Sequence, residues 1–310
     1  MQRQSTSTIV MVPPDHFGFN PQTAETNPYQ HTQQAVHSST HEIREEAQLE
    51  FAQMIQTLRR HGVNVLVLPN RPHATTPDAV FPNNWFSHHQ DGKLVLYPLL
   101  TPNRRQERQP EALLELLHQV GIKKPEIIDL TKDEEKGLFL ESTGSMIFDR
   151  MHNVAFAMAS ARTVKEEFEK WCELMHYEGV YLDIAEQHQQ ETYHTNIHMC
   201  IGTEFVIVCL EVLESDEEKE KVREKINSLR KECIEILLDQ VYQFCGNVLE
   251  LQAKDGKKLL VMSETAQKGF TKEQLSRLSR YVEIVPIAIP TIEAVGGGGV
   301  RCMMAEVFPS

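Results

Sequence analysis

Residues 192–212 read Thr192-Tyr193-His194-Thr195-Asn196-Ile197-His198-Met199-Cys200-Ile201-Gly202-Thr203-Glu204-Phe205-Val206-Ile207-Val208-Cys209-Leu210-Glu211-Val212. Two runs rich in β-branched and apolar residues, 192–201 and 204–212, flank the turn pair Gly202-Thr203, and this predicts a hairpin. A helix is expected next, over about 215–239. Its charge run Glu214–Lys225 mixes both signs, as a solvated helix face does.

Working outward, the same unit recurs. Helices are expected at 41–60, where Ile43, Ala47, Phe51, Ile55 and Leu58 share one face, and at 104–119, 163–177 and 271–279. Strands are expected at 8–12, 64–68, 79–87, 94–100, 126–130, 145–149, 154–159, 248–253, 258–262 and 282–288, with tight turns such as Asp91-Gly92-Lys93. That is one helix per roughly 60 residues, set among two or three strands. A doubly wound sheet alternates strand and helix one for one. A repeated ββαβ unit arranged around an axis fits better. The chain is therefore expected to be α/β and a single domain over 1–310, because no linker rich in Pro, Gly or Ser divides it. The polar stretch 13–40, which contains Phe17-Gly18-Phe19-Asn20, is long enough for a lid.

Composition bounds the function. With 310 residues and 41% hydrophobic residues, the chain can bury a substantial core. A net charge of −13, without a concentrated basic patch, argues against nucleic acid and anionic membranes as partners. No stretch approaches the roughly 20 apolar residues of a membrane span. The six cysteines are scattered and include no CxxC, so free thiols in a reducing compartment are expected, and with them a cytoplasmic location. A homo-oligomer stays open.

Three segments carry chemistry. Gly296-Gly297-Gly298-Gly299-Val300-Arg301-Cys302 sets a thiol behind four glycines, which allow close backbone approach to a ligand, with a neighbouring cation that favours thiolate. The alternative is a hinge with Cys302 as buried filler. On a strand, His194, Asn196, His198 and Cys200 share one face, a row of polar groups suited to the floor of a site. A zinc reading on His194, His198 and Cys200 fails on a strand, because positions four apart lie roughly 13 Å from one another. Glu141 stands between Leu138-Phe139-Leu140 and the turn Ser142-Thr143-Gly144, where partial burial of a carboxylate would need a partner. Pro82-Asn83-Asn84 reads as a turn.

In chain order, Asp78-Ala79-Val80-Phe81-Pro82-Asn83-Asn84, Leu140-Glu141-Ser142-Thr143-Gly144, His194-Thr195-Asn196 and Gly297-Gly298-Gly299-Val300-Arg301-Cys302 resemble the motifs of the pentein superfamily. This superfamily includes arginine deiminases, dimethylarginine hydrolases and amidinotransferases. The resemblance covers nearly the whole chain and implies a five-bladed ββαβ propeller. It also implies Cys302 as nucleophile, His194 as acid/base and Glu141 as the carboxylate of the triad, with no metal and no cofactor. Arg162 and Arg105 would hold the carboxylate of a small amino-acid substrate, and Asp78, Asn84 and Asn196 would surround its reacting group. Deiminases usually place aspartates where this chain has Asn84 and Asn196. The pattern is thus similar to the citrulline ureidase branch and implies hydrolysis of citrulline to ornithine, ammonia and carbon dioxide. Arginine or a methylated arginine, held between Asp78 and Glu141, is the alternative; a non-catalytic binding member of the fold is another.

Overall fold

The computed structural model describes residues 2–31, 39–71, 74–190 and 192–309. Fifteen strands among these residues form five sheets of three. The first sheet joins β1 (Thr8–Met11) to β2 (Asn64–Val67) and to the last strand, β15 (Ala305–Val307). The others follow in chain order: β3 (Phe86–His88), β4 (Lys93–Leu96) and β5 (Glu126–Asp129); β6 (Met146–Asp149), β7 (Val154–Met158) and β8 (Glu178–Leu182); β9 (Met199–Ile201), β10 (Phe205–Val208) and β11 (Glu232–Glu235); β12 (Leu249–Gln252), β13 (Lys258–Ser263) and β14 (Glu283–Ile287).

Every sheet has the same wiring. Its first strand pairs antiparallel with the middle one, and the third pairs parallel with the middle one. A parallel pair needs a crossover. Five helices supply it: Thr40–Arg60, Pro110–His118, Lys165–Met175, Asp216–Ser228 and Lys272–Leu278. First strands of neighbouring sheets lie against each other, β15 beside β3, β6 beside β9 and β9 beside β12, so they line a common axis. The five-bladed ββαβ expectation is therefore met. The middle strands β7 and β10 are buried at every position, which explains their unbroken apolar sequences.

Local departures have physical causes. The expected helix 104–119 is two helices, Pro102–Arg105 and Pro110–His118, because Pro110 lacks the amide proton needed to continue the first. The expected helix 215–239 stops at Ser228. Arg230 turns left-handed at φ 57°, and residues 232–235 pair with β10 instead. Strand 79–87 shrinks to β3, preceded by the 3₁₀ turn Pro82–Asn84. The run 192–201 is a strand only from Met199, because Thr195–His198 forms one helical turn. Tertiary contacts hold that turn: the Thr195 hydroxyl donates to Ser145 O at 2.6 Å, and Asn247 Nδ2 donates to Asn196 O at 2.9 Å. Gly246 packs so closely that a Cβ there would stand 2.1 Å from Ile197 O.

The repeat places the site. In each blade a short turn precedes the first strand. These turns are Pro82–Asn84 before β3, Ser142–Ser145 before β6, Thr195–His198 before β9, Gly246-Asn247 before β12 and the segment around Cys302 before β15. All five meet at one end of the axis. No helix among the described residues is long and apolar enough to cross a membrane.

Candidate active site

Cys302, His194 and Glu141 are all buried, on three different pre-strand turns. Cys302 and His194 border one small cavity of about 10 Å³, with Asp78, Asn84, Arg104, Arg162, Tyr193 and Gly298. That volume holds about one water. Its roof is the segment Asn20–His31. Asn20 Nδ2 and the Thr23 hydroxyl donate to Asp78 Oδ2 at 2.7 and 2.9 Å. Asn27 Nδ2 donates to Gly297 O at 3.3 Å, and Gln30 Nε2 to Gly296 O at 3.2 Å. The roof belongs to the stretch 13–40; residues 32–38 of that stretch lie outside the described residues.

His194 Nε2 lies 2.7 Å from Glu141 Oε2. Burial raises the Glu141 pKa, but the Arg162 guanidinium at 3.5 Å and the His194 contact outweigh it and take it down to about 2. Burial lowers His194 to about 4 against the pull of Glu141. At neutral pH the pair is therefore carboxylate and neutral imidazole. A carboxylate only accepts, so Nε2 carries the proton and Nδ1 keeps its lone pair. Gly144 leaves room there: a Cβ on it would stand 2.9 Å from His194 Nδ1 and 2.3 Å from Asn84 Nδ2.

Burial pushes the Cys302 thiol up, so the resting group is the neutral thiol. Two side-chain amides offset this, as Asn247 Nδ2 and Asn196 Nδ2 donate to Sγ at 3.3 and 3.5 Å. Arg301, the neighbouring cation in the sequence, points away, its guanidinium bonded to Met304 O and Glu306.

The arginines sort differently from the sequence expectation. Arg162 borders the cavity, bonded to Glu141, Thr23 O and the Thr26 hydroxyl, and its guanidinium lies 5.2 Å from the centre of the Tyr193 ring. Arg105 does not reach the cavity. Its guanidinium is spent on Leu99 O and Leu100 O, with Glu134 at 3.5 Å. Arg104 faces inward instead, because adjacent residues of a short helix point to different sides. It donates to Asn84 Oδ1 at 2.5 Å and to Phe81 O at 3.0 Å, and Glu107 grips it with contacts of 2.9–3.2 Å.

Several buried polar atoms here find no partner: Asp78 Oδ1 and Asn84 Nδ2, on residues that border the cavity, and Asn196 Oδ1, on the residue whose amide nitrogen donates to Cys302 Sγ. Unpaired buried polar atoms cost about 1–3 kcal/mol each, and a ligand can satisfy them. His194, Asn196, His198 and Cys200 do not form the expected row, since a helical turn separates them. Among the described residues no group of three or more His, Cys, Asp and Glu side chains is placed to hold a metal ion.

Sequence reasoning missed Arg104, Glu107, Asn20, Thr23, Tyr193 and Asn247. For Asn247 a signal exists: like Asn84 and Asn196, it sits in the turn before a blade's first strand.

A family described as N,N dimethylarginine dimethylhydrolase, eukaryotic, matches residues 13–309. The chain belongs to this family, within the pentein superfamily. Membership makes it a carbon–nitrogen hydrolase. Among solved structures, it resembles the N-terminal domain of ArgZ, an arginine dihydrolase from the ornithine–ammonia cycle in cyanobacteria, captured with substrate. The TM-score is 0.74 at 17% identity, over 97% of this chain and 98% of that one. Unliganded AgrE matches with TM-score 0.74 and 18% identity, over 97% of this chain and 39% of that one. A dimethylarginine dimethylaminohydrolase, as an adduct with 4-chloro-2-hydroxymethylpyridine, matches with TM-score 0.63 and 15% identity, over 99% and 100%. These likenesses, at such identities, establish the pentein fold. No curated protein sequence matches the chain.

Proposed function

We propose that this member of the dimethylarginine dimethylhydrolase family hydrolyses the ureido group of citrulline. The observation that carries the reading is Asn84 Nδ2, a buried donor without a partner on a residue that borders the cavity. A ureido group brings an oxygen that accepts from it. A guanidinium brings only N–H groups, which would face that donor without accepting from it. Asp78 Oδ1 and Asn196 Oδ1 offer acceptors for the substrate's N–H groups. The guanidino alternative rests on two carboxylates, Asp78, which borders the cavity, and Glu141, which stands behind His194.

In this mechanism Cys302 passes its proton to the neutral His194, whose Nδ1 is the free base, and the thiolate adds to the ureido carbon. Asn247 and Asn196 stabilise the developing charge on sulfur by the hydrogen bonds they already make. His194 returns the proton to the departing amine as the carbon–nitrogen bond breaks, leaving a carbamoyl group on Cys302. A water, deprotonated by His194, cleaves the carbon–sulfur bond. The carbamate released falls to ammonia and carbon dioxide, with ornithine as the other product. Glu141 keeps the imidazole in the tautomer this requires. Arg162 meets the substrate carboxylate. A 10 Å³ cavity cannot admit citrulline, so the roof Asn20–His31 lifts as a lid, and the wider cleft of about 950 Å³ beyond Arg162 and Tyr193 is the approach.

The test is incubation with citrulline, arginine and dimethylarginine, followed by product identification. Ornithine and ammonia from citrulline are expected. Citrulline accumulating from arginine, with citrulline itself untouched, overturns the reading.

A further inference from the structure

We propose that Glu107 and Arg104 are positioning residues that lock the side-chain amide of Asn84 in one orientation, and that this lock makes the site select a reacting group bearing an oxygen acceptor. The proposal rests on the reading of Asn84 as a contact to the reacting group.

A side-chain amide has two nearly isosteric faces, an acceptor oxygen and a donor nitrogen, and a half-turn exchanges them. An unconstrained Asn84 would serve a ureido oxygen with its nitrogen and a guanidinium with its oxygen. It would then discriminate poorly. Arg104 removes that freedom. A guanidinium has donors only, so the atom 2.5 Å from Arg104 Nη1 must be the amide oxygen. Turning the amide over would set donor against donor at the same distance, inside a buried site.

Arg104 itself has nowhere to go. Glu107 takes its Nε at 3.0 and 3.2 Å and its Nη2 at 2.9 Å, while Phe81 O takes Nη2 at 3.0 Å. Both side chains of the pair are almost wholly buried. A bidentate pair of this kind fixes the plane of the guanidinium as well as its charge. On the other side, Gly144 presses on the amide nitrogen: a Cβ there would stand 2.3 Å from Nδ2. The amide is thus clamped with oxygen toward Arg104 and nitrogen beside Gly144, and Nδ2, on a residue that borders the cavity, is the atom left without a partner. Glu107 and Arg104 act on the reacting group through Asn84, by way of the contact that Arg104 Nη1 makes with Oδ1.

The discriminating quantity is the ratio of kcat/KM for citrulline to kcat/KM for arginine. A purely structural role, or a contact to the carboxylate that both substrates share, lowers both terms alike and leaves the ratio unchanged. Arg104→Met frees the amide, and the ratio is expected to fall at least about tenfold. Glu107→Gln, which keeps the shape but loosens the grip on Arg104, is expected to lower it less. Asn84→Asp keeps an oxygen for Arg104 and turns the second one toward the cavity, so the preference moves to arginine by about 10²-fold or more, as expected where buried polar groups set specificity. If Arg104→Met does not fold, Glu107→Gln and Asn84→Asp decide. With citrulline as the wild-type substrate, an unchanged ratio in every folded variant overturns the lock and leaves the ureido reading standing. Arginine as the preferred wild-type substrate overturns the reading itself, at the wild-type arm.

Discussion

Both ends of the propeller axis bury charge, yet they treat it differently. At the far end, where β6 finishes and the β9–β10 turn lies, charges answer one another. Lys231 sits 3.4 Å from Asp149 and donates to Gly202 O and Thr203 O at 2.8 Å. Glu306 lies between Arg301 at 2.9 Å and Arg150 at 3.6 Å, with Arg150 also stacked over Phe148 and Phe308. At the Cys302 end buried polar groups are gathered too, but Asp78 Oδ1 and Asn84 Nδ2, on residues bordering a small void, and Asn196 Oδ1 beside Cys302 are left open. Buried polarity alone marks both ends; unfulfilled polarity beside a void marks the site.

The comparison predicts that substitutions at one end cost activity and at the other cost stability. The largest effect is expected for Cys302→Ser, a loss of kcat on the order of 10⁴-fold or more with an unchanged melting temperature. Retained turnover would remove Cys302 from its role. His194→Ala is expected to lower kcat by about 10²–10⁴-fold, again without loss of fold, because the cost is that of a general acid and base. At the far end, Glu306→Ala leaves Arg150 and Arg301 buried without their shared carboxylate. Denaturant unfolding should then show roughly 3–5 kcal/mol less stability, while the citrulline-to-arginine ratio stays put. A shifted ratio with intact stability would erase the distinction between the ends. The smallest effect is in pH dependence. His194, held near 4 chiefly by burial, is neutral at pH 7 and gains a proton as pH falls through about 4. The kcat/KM profile should therefore stay flat from neutral pH down toward 4 and drop about tenfold per unit below it. An acid limb centred near the ordinary histidine value of about 6.5 would mean that His194 is not desolvated as the structure has it.

Much of the fold was legible because the repeat is written in hydrophobic periodicity. Each of the five crossover helices overlaps an expected helix, and Gly202-Thr203 and Asp91-Gly92-Lys93 join the strands they were expected to join. What was not legible was set by distant partners. Nothing near Thr195–His198 says that Ser145 and Asn247 will bend it into a turn, so its alternation read as strand. The strands Glu178–Leu182 and Glu232–Glu235 were hidden because they lie on the outer, partly exposed side of their blades and lack a clean pattern. In the site, motif order brought out the buried trio Cys302, His194 and Glu141. Arg104 and Arg105 are neighbours of one chemistry, and only the orientation of the short helix Pro102–Arg105 decides which enters the cavity.

The pairing of β15 with β1 has a consequence for how the protein comes into being. β1 leaves the ribosome before the four other blades, and residues 305–307 emerge after all of them. That final pairing joins the stretch that follows Cys302 to β1. The nascent chain can therefore hold four finished blades while its thiol is still far from His194 and Glu141. The thiol arrives last, as the ring is stitched shut.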